Sequence, residues 1–229
     1  MAWNTAGMLS EQGFMLTLKA HLLSCITKIL GVTPSSSSVC GMGASEPKAA
    51  DSGSVLIRND RMYKHKVIRF NYTTYDVRRA QDVVNPNTSH ANIMVLSRGD
   101  DAGEDSSQNH KFWYARVLGI YHVNAVYVGP GMVDYVPRRL DFLWVRWYRH
   151  QDAGLGPLGC AAQQLHRLSF PPMHDNDAFG FLDPADVLRS CHIIPVFAKG
   201  RRYLGTGRSQ GQSACAGDSK DWNQYYVGQ

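Results

Sequence analysis

The sequence predicts a mainly β protein with short helices, of the α+β class: a small, partly open β-barrel or sandwich preceded by one N-terminal helix. Three observations carry this. Beyond residue 54, short runs rich in β-branched and aromatic residues recur, separated by Gly, Pro, Asp and Asn turn signals. One stretch near the N-terminus instead repeats its apolar residues at three- and four-residue steps. The chain has 229 residues, 44% hydrophobic and 19% charged, enough for one domain with a real core.

Taken in order, residues 1–31 are the helical segment. Met15, Leu18, Leu22, Ile26 and Ile29 form its apolar stripe and Gly31 its stop, so the helix is expected to pack on a partner surface. Residues 32–54 are rich in Ser, Gly, Ala and Pro, with little to bury, and read as a flexible linker. The β-rich domain is expected over 55–198. Within it "MYKHKVIRF" (62–70) is β-prone and basic, "NIMVLS" (92–97) is a short apolar run, and 98–110 is an acidic polar loop. "KFWYARVLGIYHVNAVYVG" (111–129) is a long strand pattern in which Gly119 marks a bulge or tight bend. Pro and Gly in 130–139 mark turns, and "DFLWVRWYRH" (141–150) reads as one strand. After a Gly-rich excursion, "DPADVLRSC" (183–191) opens as a helical turn with Asp183 as N-cap and Pro184 in the first position. "HIIPVFA" (192–198) reads as a final strand, on an edge because of Pro195. A mobile loop is expected over 199–220 and an aromatic C-terminal segment over 221–229.

Net charge is +5 with a pI of about 9.0. Between Arg58 and Arg79 stand seven cations (Arg58, Arg61, Lys64, Lys66, Arg69, Arg78, Arg79) against Asp60 and Asp76, as much excess charge as the whole chain carries. A clustered excess of this kind needs nothing more to contact phosphates without reading bases. Lys64, Lys66, Arg78 and Arg79 are the candidate nucleic-acid contacts. The simpler account is a solvated face with salt bridges to Asp60, Asp76 and Asp82. Five scattered cysteines without C-x-x-C spacing argue against a zinc ribbon or disulfide scaffold, and for a reducing compartment. No apolar run looks long enough to span a bilayer, and no secretory signal is seen.

Catalytic signatures are sought without result. There is no G-x-S-x-G elbow and no phosphate-binding Gly-rich loop, so no cofactor is implied and no catalytic residue assigned. "HDND" (174–177), with Asp183 and His192 downstream, is the nearest approach to a metal cluster, but such turns are ordinarily Asx-turns and no metal is assigned. Asp100, Asp101, Glu104 and Asp105 read as a solvated loop. On a strand, Phe142, Trp144, Arg146 and Tyr148 share one face and Leu143, Val145 and Trp147 the other. Both faces are apolar, which predicts a strand buried on both sides. Trp113, Tyr114, Trp147 and Tyr148 are the candidate ligand-binding aromatics, able to form a cage only if they converge on an open pocket. Arg146 and Arg149 are expected to bind neighbouring carboxylates.

"IRNDRMYKHKVIRFNYTTYDVRRAQDVVNPNTSHANIMVLS", "HKFWYARVLGIYHVNAVY", "RRLDFLWVRWY", "DNDAFGFLDPADVLRSCHIIPVFAKGR" and "DWNQYYVG" resemble the C-terminal region of Plavaka-type proteins, of the Kyakuja–Dileera–Zisupton group of fungal DNA transposons. "LKAHLLSCITKILG" resembles the helix preceding that region, so the likeness covers most of 16–30 and 55–229. The chain departs from the pattern in its Ser/Ala/Gly-rich 32–54, where an acidic connection is expected, and in lacking the continuation after "YYVG". The region that would carry transposase chemistry is not among these residues, so the resemblance transfers no catalytic role. A second, architectural likeness is to the bromo-adjacent homology domain, a β-rich chromatin-interaction module. It rests on "FWYARVLGIY", "LWVRWYR" and "DVLRSCHIIPV" in that order. Together these imply a non-catalytic interaction module in the nucleus, with a chromatin or other nuclear protein or weakly bound, non-specific DNA as partner and no membrane. The alternatives are a transposase fragment assisting metal-dependent strand transfer, and a decayed copy without present function.

Overall fold

The N-terminal helix α1 (Glu11–Leu30) ends where Gly31 takes a left-handed φ of +65°, a conformation open to glycine without steric penalty. The structure, a computed structural model, describes residues 11–31, 51–97, 110–132, 134–151, 166–202 and 216–228. Most of the linker expected over 32–54 and of the loop expected over 199–220, and the acids of 100–105, lie outside these. Of the two segments' described parts, 51–54 form a 3-10 turn and 218–220 another, in which Asp218 is buried.

Among the described residues twelve strands follow: β1 (Val55–His65), β2 (Ile68–Thr73), β3 (Arg79–Val84), β4 (Asn92–Leu96), β5 (Phe112–Tyr127), β6 (Arg138–Trp147), β7 (Arg149–Gln151), β8 (Arg167–Ser169), β9 (Phe179–Leu182), β10 (Val187–Ser190), β11 (His192–Pro195) and β12 (Tyr225–Gly228). They form open antiparallel sheets and not a barrel: a six-stranded sheet in the order β10-β4-β5-β6-β9 with β1 also on β5, a four-stranded sheet β11-β12-β8-β7, and the hairpin β2-β3.

β5 is the spine. Along one edge its first half pairs with β4 and its second half with β1, while β6 runs along the other edge. The register slips between Val117 and Gly119, and this bulge reverses which residues face which side. Before it, Ala115 and Val117 point into the core under the hairpin; after it, Tyr121, Val123, Ala125 and Tyr127 point to the core under α1. A Cβ on residue 119 would overlap the Tyr121 ring, so glycine is required for close approach. The bulge expected at Gly119 is thus what lets one strand serve two cores.

The helix contributes Phe14, Leu18, Leu22, Cys25 and Ile26 to its core, with Phe14 edge-on to Trp144 at 5.6 Å. Met15 and Ile29, expected on this face, are exposed instead. Both fall within the angular arc of Leu18, Leu22 and Ile26; they differ from these in standing toward the two ends of the helix. By length and composition Gly13–Leu30 is apolar enough to cross a membrane, contrary to the sequence expectation. Interspersed Thr17, His21, Ser24 and Thr27 disguise the run.

The stretch 141–150 is not one strand. β6 ends at Trp147, and after Tyr148 the chain enters β7 in the other sheet. Its two faces divide as expected: Phe142 and Trp144 join the α1 core, Leu143, Val145 and Trp147 the hairpin core. Likewise 62–70 breaks at Lys66–Val67 between β1 and β2. Asp183 caps a single 3-10 turn by accepting from the Ala185 N–H at 2.9 Å, but Val187–Ser190 then pair with β4 as a strand. β11 is an edge strand, which accommodates Pro195, but it is not the last: β12 lies inside the second sheet.

Candidate functional site

The candidate nucleic-acid contacts lie along β1 and the β2–β3 hairpin. Thr73 pairs with Arg79 and Ile68 with Val84, so Arg78 and Arg79 stand at the hairpin tip and Lys66 at its base. Six residue pairs separate the two ends by roughly 17 Å. The hairpin's inner face (Ile68, Phe70, Val84) packs on the sheet. Tyr72 and Asp82 fasten it to Arg189, whose guanidinium lies 3.9 Å from the Tyr72 ring centroid. The outer face presents Arg69, Arg79 and the hydrogen-bonded Asn71–Gln81 pair. All seven cations between Arg58 and Arg79 are exposed. Salt bridges do not account for them: Asp76 pairs with Arg78 at 2.9 Å, while Asp82 is engaged by Arg189 and the Ser190 N–H. Among the described residues Arg58, Arg61, Lys64, Lys66, Arg69 and Arg79 have no carboxylate partner. At the tip, Tyr75 is fully exposed and Val77 adopts a positive φ of 63°.

The four candidate ligand-binding aromatics are not brought together. Trp113 and Trp147 pack on the hairpin core; Tyr114 and Tyr148 are buried in a third core with Leu168, Phe170, Tyr225 and Val227. Neighbours in a strand project to opposite faces, so each Trp–Tyr pair is split. The "HDND" turn is also accounted for: Arg149 reaches Asp175 at 3.0 Å and Asp177 at 3.1 Å. His192 instead lies on β11, opposite Gly228.

Arg146 is fully buried and bonds Asp221 at 2.6 Å; Arg116, directly opposite it on β5, bonds the other oxygen of the same carboxylate at 2.6 Å. The Phe170 ring lies 4.0 Å from the Arg146 guanidinium and 4.5 Å from that of Arg116. Among the described residues, Nε and Nη2 of Arg146 have no hydrogen-bond partner. One carboxylate therefore holds two guanidiniums and anchors the C-terminal segment on the sheet. Cys191 is set back from reactivity, since burial pushes its thiol up to about 12.

Two imidazole clusters were not foreseen. His65 and His122 approach to 2.6 Å, with Tyr63 stacked on His122 and Asp141 nearby. Burial, then the Arg139 charge, pull the His122 ring below the usual histidine range. The second cluster joins His110, His150 and His166, whose ligand atoms lie within 4.8 Å of one another. His110 stacks on His150 with ring centroids 3.6 Å apart, and His166 is edge-on to His150 at 5.4 Å. The buried Tyr114 ring lies 5.6 Å from His150. The sequence offers no ligand-spacing motif for either group; strand pairing alone assembles them.

No family model, curated protein or solved structure matches the chain.

Proposed function

We propose that the chain is a non-catalytic, β-rich interaction module, derived from a fungal DNA transposon protein of the Plavaka type, that makes protein or DNA contacts in the nucleus. The observation that carries this reading is the set of exposed cations on β1 to β3 whose charge is not neutralised within the described residues. Uncommitted cations on a rigid hairpin retain full attraction for phosphate, and their release of counterions supplies sequence-independent affinity. The tip adds an exposed Tyr75 and a strained Val77 between Asp76 and Arg78, a combination found where loops make contacts. A chromatin role as in bromo-adjacent homology domains belongs to the same proposal and draws support from the order of the aromatic strands.

The test is binding of a short random-sequence DNA duplex across a salt series. The parent chain should bind with a Kd of roughly 10⁻⁴–10⁻⁶ M at physiological salt, its affinity falling steeply as salt rises. Reversing Lys64, Lys66, Arg78 and Arg79 to Glu should abolish binding while leaving the thermal melt in place. Binding that survives the four changes, or none even at low salt, would sink the DNA reading and leave a protein partner.

A further inference from the structure

We propose that His110, His150 and His166 form a binding site for one divalent transition-metal ion of zinc's chemical class, with the fourth coordination position open to water or another donor.

The site is built from three separate elements. His110 stands just before β5, His150 is the middle residue of β7, and His166 just precedes β8. Backbone bonds fix their proximity: Tyr148 N–H donates to the Tyr114 carbonyl at 2.9 Å, His150 pairs with Leu168, and the His166 carbonyl accepts from Val227 N–H at 3.1 Å. Three half-buried imidazoles are thereby held at the junction of two sheets.

The chemistry suits a cation that prefers nitrogen. His150 Nε2 lies 3.0 Å from the Phe112 carbonyl, an acceptor only, so this nitrogen carries the proton and Nδ1 presents its lone pair. Fixing one ring nitrogen on a backbone carbonyl is the arrangement that orients metal-ligating histidines. Zinc–nitrogen bonds of about 2.0–2.1 Å place tetrahedral ligand nitrogens about 3.3 Å apart. From separations within 4.8 Å, modest ring rotations reach that geometry, with His110 turning out of its stack on His150.

The other group is less suited. Arg139 holds Asp141 through three hydrogen bonds of 2.7 to 3.2 Å, and His65 and His122 are already bonded to each other. A metal there would have to displace a guanidinium and enter beside its positive charge.

The experiment uses the untagged full chain, stripped with a chelator and titrated with Co²⁺ and with Zn²⁺. The expected result is about one equivalent of Co²⁺ with the visible absorption of a tetrahedral site, displaced by Zn²⁺. His110→Ala, His150→Ala and His166→Ala should each weaken binding by more than about tenfold; His174→Ala, on an exposed ring outside the cluster, should not. Unmodified protein supplies a readout independent of variant folding. Zn²⁺ should protect all three rings from carbethoxylation by diethyl pyrocarbonate, mapped by peptide mass. Absence of near-stoichiometric binding, no protection of these rings, or loss of binding on changing His65 and His122 instead would overturn the assignment.

Discussion

Asp221→Ala would test the anchor that joins the C-terminal segment to the main sheet. In the parent chain the Asp221 side chain is fully buried, with one oxygen 2.6 Å from Arg146 and the other 2.6 Å from Arg116. Removing it leaves two guanidiniums face to face across β5 and β6, one of them wholly cut off from water. Breaking a buried ion pair by deleting one partner costs about 3–5 kcal/mol, because the remaining charge keeps its desolvation penalty. Here the loss strands two cations, which argues for the upper part of that range. Arg116, with 22% of its side chain exposed, can turn toward solvent; Arg146, with 0%, cannot. A typical domain has about 5–15 kcal/mol in total, so the variant should melt roughly 6–20 °C lower. Urea and thermal unfolding of the parent, Asp221→Ala, Arg146→Met and the double variant make a cycle. Because Met removes the stranded charge while preserving much of the volume, the double variant should be more stable than the sum of the single losses implies. Coupling is expected at roughly 0.5–3 kcal/mol. An Asp221→Ala chain within about 1 kcal/mol of the parent, or strictly additive losses, would show that the two arginines find other compensation and that the anchor is not what holds the segment.

Trp144→Ala should lower stability by about 3–5 kcal/mol in a denaturant melt, since it empties the space between Phe14 of α1 and Phe179 of β9. An unchanged melt would mean the helix does not depend on this contact. Gly119→Ala should destabilise by about 1–3 kcal/mol, because the added methyl meets the buried Tyr121 ring. A chain as stable as the parent would show that the ring can move aside.

Local chemistry made several features legible in the sequence. Gly31 ends the helix because its φ is free of a Cβ penalty. Asp183 and Pro184 open a turn because a carboxylate and a fixed φ suit that position. Gly119 marks a bulge, and residues 142–147 alternate between two apolar faces; each of these depends on neighbours a few residues away. The mainly β class with one leading helix follows from the same periodicities. Pairing is a different matter, because an apolar strand face specifies burial without specifying a partner. Nothing in "FLWVRWY" tells that the chain changes sheet at Tyr148, or that β12 inserts between β11 and β8. Arg146 could be foreseen to seek a carboxylate, but Asp221 lies 75 residues away and Arg116 is its cross-strand neighbour. His110, His150 and His166 have no motif spacing, since their approach is set by backbone bonds linking β5, β7, β8 and β12. Sequence determined which residues prefer burial, turns or solvent. Tertiary structure alone decided which distant charges and imidazoles meet, because those meetings are fixed by strand register, a long-range property that no local pattern encodes.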